Sequence, residues 1–252
     1  MRIFAFAALA LALAAPAAAA PRPADIEAAV AAPGRPEAQV KLDESRKPAE
    51  MLKFLGLKRG DRALDLYAGS GYWSELMARA VGPEGRVTGW LAVAETGPKA
   101  RAAWADLGAR QKNAAFFITP NDALSLPADA FDAALINLNY HDVYWESVKD
   151  GFRRTDPGAF LATIYAALKP GGAILVIDHV GAAGSEPRAL ADKLHRIDPA
   201  VIKADFARAG FRFDGESDVL RNPADDHSKS VFDPAIRGKT DRIVYRFRKP
   251  RG

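Results

Sequence analysis

A short motif early in the chain, Ala63-Leu64-Asp65-Leu66-Tyr67-Ala68-Gly69-Ser70-Gly71, has the pattern of an apolar strand, a glycine turn and the start of a helix. Residues 63–67 are apolar apart from Asp65, as in a central strand of a parallel sheet that is covered on both faces. Gly69 and Gly71 allow backbone conformations and close approaches that a side chain would prevent. The motif therefore predicts a ligand site at the carboxyl end of this strand, the usual place in open α/β sheets.

The rest of the chain continues this alternation of strands and helices. Further strands are predicted at residues 85–90, 115–118, 132–138, 173–178, 211–213 and 243–247. Helices are predicted at residues 45–55, 73–80, 96–107, 157–168 and 199–209. The alternation predicts an α/β fold, a Rossmann-like doubly wound sheet of seven strands, mostly parallel with an antiparallel hairpin at one edge.

Local signals fix several helix ends. Asp156-Pro157 and Asp198-Pro199 each place a capping carboxylate before a proline at the first helical position. Gly82-Pro83 ends the helix that follows the glycine turn, and Gly108 is expected to end the next one. Residues 222–237 form a long polar segment without periodicity, which predicts a functional or a mobile loop.

The first residues have the pattern of a secretory signal peptide, with Met1-Arg2, an apolar run over residues 3–15, and small residues at Ala17–Ala20 where cleavage is expected. An uncleaved anchor is the alternative, although the run is short for a membrane span. Residues 1–20 are therefore predicted to be a signal peptide, 21–44 a linker with a short helix at 25–32, and 45–252 the folded domain. The mature protein is expected to be periplasmic or secreted.

Composition narrows the functional classes. The chain of 252 residues is 49% hydrophobic and 26% charged, as in ordinary globular proteins, and its formal net charge is +4. Its basic residues are scattered, which does not favour nucleic-acid binding. It contains no cysteine, which excludes disulfides, thiolate metal sites and a cysteine-linked lipid anchor.

Four motifs in this order resemble those of the class I S-adenosylmethionine-dependent methyltransferases: Asp65-x-x-x-Gly69-x-Gly71, Asn121-Asp122-Ala123, Leu126-Pro127 to Phe131-Asp132, and Leu168-Lys169-Pro170-Gly171-Gly172. The resemblance covers roughly residues 45–249. The whole sequence also resembles a group of predicted bacterial methyltransferases that carry signal peptides. The resemblance implies S-adenosylmethionine as the cofactor and assigns no substrate.

The resemblance also implies roles for individual residues. Asp65 would help to hold the methionine ammonium beside Gly69 and Gly71, and Asn137 would lie at the same site. Asp122 would bind the adenine amine, with the backbone of Ala123 beside it. The alternatives are that Asp65 caps the turn or the next helix and that Asp122 is only a turn residue.

One feature of the family is missing from the second strand. The acid that usually grips the ribose hydroxyls there is replaced by Gly89-Trp90, and the nearest acid is Glu95. Either Trp90 stacks on adenine or Glu95 reaches back to the ribose. Both alternatives place a residue from the end of the second strand in the cofactor site.

The methyl acceptor is expected beyond the fourth strand, at Tyr140-His141-Asp142. His141 is predicted as a general base, with a backbone-bonded loop histidine as the alternative. Asp142 would hold its imidazole or cap a helix, and Tyr140 would stack on an acceptor ring. Histidines and carboxylates together can bind Mg²⁺ or Zn²⁺, but the spacing shows no ligand motif, so no metal site is predicted.

These features predict an exported S-adenosylmethionine-dependent methyltransferase. The expected partner is a small-molecule acceptor, with no nucleic acid and no stable membrane span after signal cleavage. The alternative is a non-catalytic module that binds S-adenosylmethionine or another ligand on the same fold. A nicotinamide dehydrogenase is disfavoured, because Ser74 replaces the third glycine of its fingerprint and no acid ends the second strand.

Overall fold

The computed structural model of the protein describes residues 24–252. The predicted signal peptide and its cleavage site lie outside these residues. From residue 24 onwards, no helix combines the length and the apolar character needed to cross a membrane.

The described chain forms one seven-stranded sheet in the order β3-β2-β1-β4-β5-β7-β6. The strands are β1 Arg62–Leu66, β2 Arg86–Ala92, β3 Ala114–Thr119, β4 Phe131–Asn137, β5 Leu168–His179, β6 Arg212–Glu216 and β7 Arg242–Arg248. β7 is antiparallel to both of its neighbours, β5 and β6, whereas the remaining pairs are parallel. The predicted topology, including the antiparallel edge hairpin, is confirmed.

Helices cover both faces of the sheet. They are α1 Ile26–Ala31, α2 Glu37–Val40, α3 Asp43–Arg46, α4 Pro48–Leu55, α5 Tyr72–Val81, α6 Pro98–Arg110, α7 Pro157–Ala167, α8 Pro187–Leu194 and α9 Pro199–Arg208. Short 3₁₀ helices follow β2 at Val93–Glu95 and β4 at His141–Val143. Asp156 and Asp198 cap α7 and α9 through their side chains, as the sequence predicts.

The core has two layers because side chains alternate along the central strands. Leu64 and Leu66 of β1 face the layer that includes α7 and α9, whereas Ala63 faces the layer that includes α1, α4 and α5. Both layers are fully buried at the sheet, as expected for parallel strands with helices on each side. This arrangement fixes the carboxyl ends of β1, β4 and β5 at one edge.

Some predicted helix boundaries differ from the structure. The helix predicted over residues 45–55 is divided at Lys47, which has φ +48°. The ring of Pro48 clashes with helical geometry at the residue before it, which is Lys47. The helix predicted to end at Gly108 continues to Arg110, since an interior glycine costs only about 1 kcal/mol. α8 is short and polar, and the sequence pattern did not predict it.

Residues 24–44 pack on the domain, unlike an extended linker. Ile26 and Ala29 are buried in the layer that contains α5. The buried Arg35 makes a bidentate ion pair with Asp43 at 2.6 and 2.7 Å, and Asp43 also accepts a hydrogen bond from Tyr72 Oη at 2.7 Å. The Ala- and Pro-rich composition of the segment predicts a linker, because only a few of its residues make these packing contacts. The segment brings α2 and α3 next to the glycine turn.

The polar segment 222–237 has no regular helix or strand, but it is anchored at its centre. Asp225 accepts two hydrogen bonds of 2.9 Å from the fully buried guanidinium of Arg196. Val231 is buried, and its backbone N–H donates to Leu194 O at 3.1 Å. This anchoring holds the segment beside the carboxyl edge of the sheet, where Val231, Phe232 and Arg237 line a cavity.

Candidate functional site

The turn after β1 uses left-handed backbone at alternate positions. Tyr67, Gly69 and Gly71 have φ values of +53°, +52° and +78°. A Cβ on Gly71 would lie 2.7 Å from Leu107 Cδ2, so this glycine permits close packing of α6 against the turn. A Cβ on Gly69 would meet no protein atom within 4 Å, so this glycine leaves space open. The two glycines therefore have different roles: packing for Gly71 and an open surface for Gly69.

A cavity of about 300 Å³ lies over this turn, which we call the turn cavity. It is lined by the turn itself, by Asp65 of β1 and by polar side chains from four other segments: Gln39, Arg46, Glu95, Asn137 and Asn139. Asn137 ends β4, so its presence here agrees with its predicted place at the site. The turn cavity thus combines exposed backbone with both positive and negative side chains.

Asp65 is the buried carboxylate of the turn cavity. It is 1% exposed and accepts a hydrogen bond of 2.5 Å from Ser74 Oγ in α5. Burial raises the pKa of Asp65 to about 7, against the effects of Ser74 and of the nearby Arg46 charge. A buried carboxylate without a direct ion pair suits a cationic ligand group, since binding would supply the missing charge.

Glu95 and Trp90, the two alternatives for the missing ribose acid, lie in different places. Trp90 is fully buried, donates from Nε1 to Thr119 Oγ1 at 2.9 Å, and packs edge-on against Tyr67. Trp90 lines neither the turn cavity nor its neighbour. Glu95 lines both, and burial and the Asp142 charge raise the pKa of Glu95 to about 7. Glu95 is therefore the acid at the end of β2 that faces the site.

Asp122 and Ala123 are exposed and do not line the turn cavity. Asp122 lies 3.7 Å from Arg153 and lines a separate cavity with Thr155. The buried member of this motif is Asn121, which donates to Thr155 Oγ1 at 2.8 Å and accepts from the Arg153 backbone N–H at 2.9 Å. The structure therefore does not bring Asp122 and Ala123 together with Asp65, and their adenine role stays a prediction.

A second cavity of about 790 Å³, which we call the histidine cavity, adjoins the turn cavity. The two share the lining residues Leu42, Arg46, Glu95, Leu138 and Asn139. The histidine cavity is further lined by His141, Asp142, His179, His195, Phe232 and Arg242. A ligand group in one cavity would therefore lie beside a ligand in the other.

His141 is held at the wall of the histidine cavity by Asp178, at the end of β5. The backbone N–H of His141 donates to Asp178 Oδ2 at 2.8 Å, and Nδ1 lies 2.7 Å from Asp178 Oδ1. Burial disfavours the charged ring, but Asp142 and Asp178 outweigh it and raise the pKa of His141 to about 9. A histidine with this pKa carries its proton at neutral pH, so the base role predicted from the sequence requires that proton to be displaced.

The neighbours of His141 divide between cavity and core. Asp142 lines the histidine cavity, and its Oδ1 lies 3.4 Å from His141 Nε2. Tyr140 is fully buried, donates from Oη to Asp205 Oδ2 at 2.8 Å, and packs against Phe206. Tyr140 therefore does not line the cavity, and the predicted stacking on an acceptor has no place there. The 3₁₀ turn after β4 directs it into the core.

Two further residues line the cavities, and the sequence indicates only His195, as a loop histidine that could close over the cleft. Arg46 lies in α3 over the ring of Tyr72, 4.4 Å from the ring centroid, and lines both cavities. His195 follows α8 with φ +51° and points Nδ1 to within 3.6 Å of Asp142 Oδ1. A lone arginine near a helix end carries no distinctive pattern, and the position of His195 in a loop does not indicate that its ring meets Asp142. Only the folded chain shows their proximity.

Comparisons with known proteins address the fold and family. Residues 28–113 match the family model of protein-L-isoaspartate(D-aspartate) O-methyltransferase, which is less than half of the chain. A solved S-adenosylmethionine-dependent methyltransferase from Aquifex aeolicus aligns with a TM-score of 0.57 and 18% identity, over 84% of this chain and 93% of that one. The chain has the methyltransferase fold.

A second solved structure with this fold contains a bound ligand, and a curated sequence relative matches part of the chain. The 1,6-didemethyltoxoflavin-N1-methyltransferase of Burkholderia thailandensis, with bound S-adenosylhomocysteine, aligns with a TM-score of 0.53 and 19% identity, over 84% of this chain and 79% of that one. The ubiquinone/menaquinone biosynthesis C-methyltransferase of Neisseria meningitidis is 33% identical over 125 residues, 48% of this chain and 44% of the relative. The chain thus spans less than half the length of that curated relative. These matches confirm the predicted fold.

Proposed function

We propose that this protein transfers a methyl group from S-adenosylmethionine to a small molecule bound in the histidine cavity. The observation that carries the proposal is the contiguity of the two cavities at the carboxyl edge of the sheet. Methyl transfer is an in-line displacement, so it needs the donor methyl and the acceptor atom side by side. The matched relative from Neisseria, a C-methyltransferase of quinone biosynthesis, supports a small-molecule acceptor.

The turn cavity has the charges that the methionine part of the cofactor would need. Its ammonium would lie near the Asp65 carboxylate, and its carboxylate near the Arg46 guanidinium. Among the described residues, Arg46 makes no ion pair within 4.0 Å, so it is available for an anionic group. Gly69 would expose backbone to the cofactor, and Glu95 would accept from its ribose hydroxyls.

The test has two steps. Isothermal titration with S-adenosylmethionine measures the first, for which we expect one site per chain. Transfer of a radiolabelled methyl group into a small-molecule extract measures the second, and metabolite profiling of a deletion strain supplies the acceptor. Absence of cofactor binding by the folded chain would contradict the proposal. Binding without transfer would instead favour a non-catalytic module on the same fold.

We expect that Glu95→Gln weakens S-adenosylmethionine binding by roughly 10- to 100-fold, because a charged acceptor binds hydroxyls more strongly than an amide. The matched variant is Trp90→Phe, which loses the hydrogen bond to Thr119. It should lower the free energy of unfolding by about 1 kcal/mol and leave affinity unchanged. If Trp90→Phe lost affinity and Glu95→Gln did not, the result would contradict the role of Glu95 and favour adenine stacking by Trp90.

We expect cofactor affinity to rise with pH, because the methionine ammonium binds the ionised form of Asp65. The pKa of Asp65 is raised by burial to about 7, so the carboxylate is mostly protonated at pH 6 and mostly ionised at pH 8. Ser74, Arg46 and Glu95 face or adjoin this group, and Glu95, whose pKa is also about 7, changes affinity in the same direction. Titration calorimetry should show roughly tenfold tighter binding at pH 8 than at pH 6. Asp65→Asn should bind weakly and without this dependence; a pH dependence that persists there would assign it to another group.

We also propose that the protein is exported, on the basis of the signal-peptide pattern of residues 1–20 and the resemblance to methyltransferases that carry such peptides. Amino-terminal sequencing of the protein recovered from the periplasm or medium should begin near residues 18–21. Recovery of intact Met1 from the soluble cytosol would contradict export. Such a result would leave the proposed reaction untouched, since its residues lie in the folded domain.

A further inference from the structure

Three side chains with metal-ligand chemistry converge at the wall of the histidine cavity. His141 and Asp142 come from the 3₁₀ helix after β4, and His195 comes from the end of α8. His141 Nε2 lies 3.4 Å from Asp142 Oδ1, which lies 3.6 Å from His195 Nδ1. The three potential ligand atoms all lie within 4.8 Å of one another. The fold thus brings together two imidazole nitrogens and one carboxylate oxygen from distant segments.

The spacing can be compared with that of a tetrahedral metal centre. Zinc bonds of about 2.0–2.1 Å to nitrogen and oxygen place neighbouring ligand atoms roughly 3.3–3.4 Å apart. The two distances that involve Asp142, 3.4 and 3.6 Å, are close to this value. The three ligand atoms lie within 4.8 Å of one another, so closing the third edge to the tetrahedral value requires a shift of at most about 1.4 Å, which a small rotation of the partly exposed His195 side chain allows.

The other polar atoms of His141 and Asp142 are already paired. Asp178 Oδ1 lies 2.7 Å from His141 Nδ1, so it fixes the proton there and directs the Nε2 lone pair towards Asp142. Asn139 Nδ2 donates to Asp142 Oδ2 at 2.8 Å and leaves Oδ1 facing the two histidines. Metal-binding histidines commonly have a carboxylate on their second nitrogen in this way.

His195 is also held in place by its surroundings. Its ring packs between Trp145 and Phe232, with centroids 5.1 and 4.8 Å away. The next residue, Arg196, is fully buried and bound to Asp225. These contacts position Nδ1 at the cavity wall, so His195 is a built part of the cluster and not a freely rotating surface side chain.

The cluster needs a positive charge at its centre. Two imidazole lone pairs and a carboxylate oxygen repel one another at these distances unless a proton or a metal ion lies between them. Within residues 24–252, Asp142 makes no ion pair with lysine or arginine; the groups within 4.0 Å of its carboxylate that can carry a positive charge are the imidazoles of His141 and His195. The choice is therefore between a proton-bridged network and a bound cation.

We propose that His141, Asp142 and His195 bind one divalent transition-metal ion, for which Zn²⁺ fits the spacing best. Two nitrogens and one oxygen suit zinc-like ions better than Mg²⁺ or Ca²⁺, which prefer oxygen ligands. Three protein ligands leave a fourth position open, and this position faces the histidine cavity. Water would occupy it in the free protein. In the methyl transfer proposed above, an oxygen atom of the acceptor would replace this water. This replacement rests on the proposed function, whereas the metal site itself does not.

The experiment uses the full folded chain without an affinity tag, after removal of metal by a chelator. Co²⁺ is titrated in, its visible absorption reports coordination by the protein, and Zn²⁺ is added to displace it. We expect one ion per chain by elemental analysis and a Zn²⁺-dependent rise in Tm. Asp142→Asn and His195→Gln should each weaken metal binding at least about 100-fold, and Asp178→Asn about 10- to 100-fold.

His227→Gln is the matched control, because His227 bonds to Asp241 at 3.0 Å and lines neither cavity. It should keep full metal affinity. Failure to bind Co²⁺ or Zn²⁺, or binding that survives in both ligand variants, would overturn the proposal in favour of a proton-bridged network. Titration of the same samples with S-adenosylmethionine separates the two proposals. A chain that binds the cofactor but no metal contradicts only the metal site, and one that binds metal but no cofactor contradicts only the proposed function.

Discussion

Gly69→Val is expected to abolish measurable S-adenosylmethionine binding in a chain that still folds. Gly69 lines the turn cavity, and a Cβ there meets no protein atom within 4 Å, so the fold itself has room for a side chain. The isopropyl group would instead occupy space in a cavity of only about 300 Å³. The left-handed φ of +52° adds roughly 1–3 kcal/mol of backbone strain. We expect affinity to fall by at least about 100-fold, equivalent to roughly 3 kcal/mol, in a calorimetric titration.

Backbone strain can be separated from obstruction of the cavity by a second glycine. Gly60 has φ +82°, a Cβ there also meets nothing within 4 Å, and Gly60 lines neither cavity. Gly60→Val should therefore lower Tm about as much as Gly69→Val while leaving cofactor affinity intact. Normal affinity in folded Gly69→Val would remove the glycine turn from the cofactor site. Equal loss in both variants would attribute the effect to strain.

The sequence predicted the fold well because its signals are local and repeated. The strand–turn–helix pattern around Gly69 and the Asp-Pro helix starts each depend on residues close together in the chain. Alternation of strands and helices then leaves few topologies for a mostly parallel sheet. The errors lie where context outweighs pattern. Lys47 breaks a helix because Pro48 follows it, and Gly108 stays helical because an interior glycine costs only about 1 kcal/mol and the preceding Leu107 is buried.

The site was predictable only where its residues follow strand ends. Asp65 lies near the end of β1, and His141 lies in the short turn that follows β4. Both residues line a cavity at the site. Arg46 lies in α3 and His195 directly follows α8, far apart in the chain, and their approach depends on buried anchors. Arg35 with Asp43 places α3, and Arg196 with Asp225 places the residues beside α8. Pairing of this kind between distant residues leaves no periodic trace in a single sequence.

A single sequence also does not show in which direction each side chain points. Tyr140 and His141 were both predicted to line the acceptor site, but in the structure only His141 lines the cavity. Successive residues of a tight 3₁₀ turn point in different directions, so only some of a polar cluster can face one cavity. His141 and Asp142 face the cavity, whereas Tyr140 reaches Asp205 in α9. The density of polar residues after the strand therefore indicated a cavity wall at this place but did not show which of the residues face the cavity.

His141→Ala is expected to lower turnover on the identified acceptor by roughly 10²–10⁴-fold with near-normal cofactor affinity. The reason is positional: His141 lines the histidine cavity but not the turn cavity, and Asp178 holds its ring towards Asp142. Cofactor affinity by calorimetry and turnover by methyl transfer are measured on the same preparations. Removal of a buried ring also lowers Tm, so His227→Ala provides the control for loss of a bonded histidine.

His195→Gln then distinguishes the two ways in which His141 can act. If His141 accepts the acceptor proton directly, His195 is a neighbour whose change should alter turnover only a few-fold. If both histidines hold a metal ion, His195→Gln should lower turnover nearly as much as His141→Ala, because the ion loses a ligand in either variant. Near-normal turnover in His141→Ala would reject both roles. Loss of cofactor binding in that variant would instead move His141 to the cofactor side, since the two cavities meet at Glu95 and Asn139.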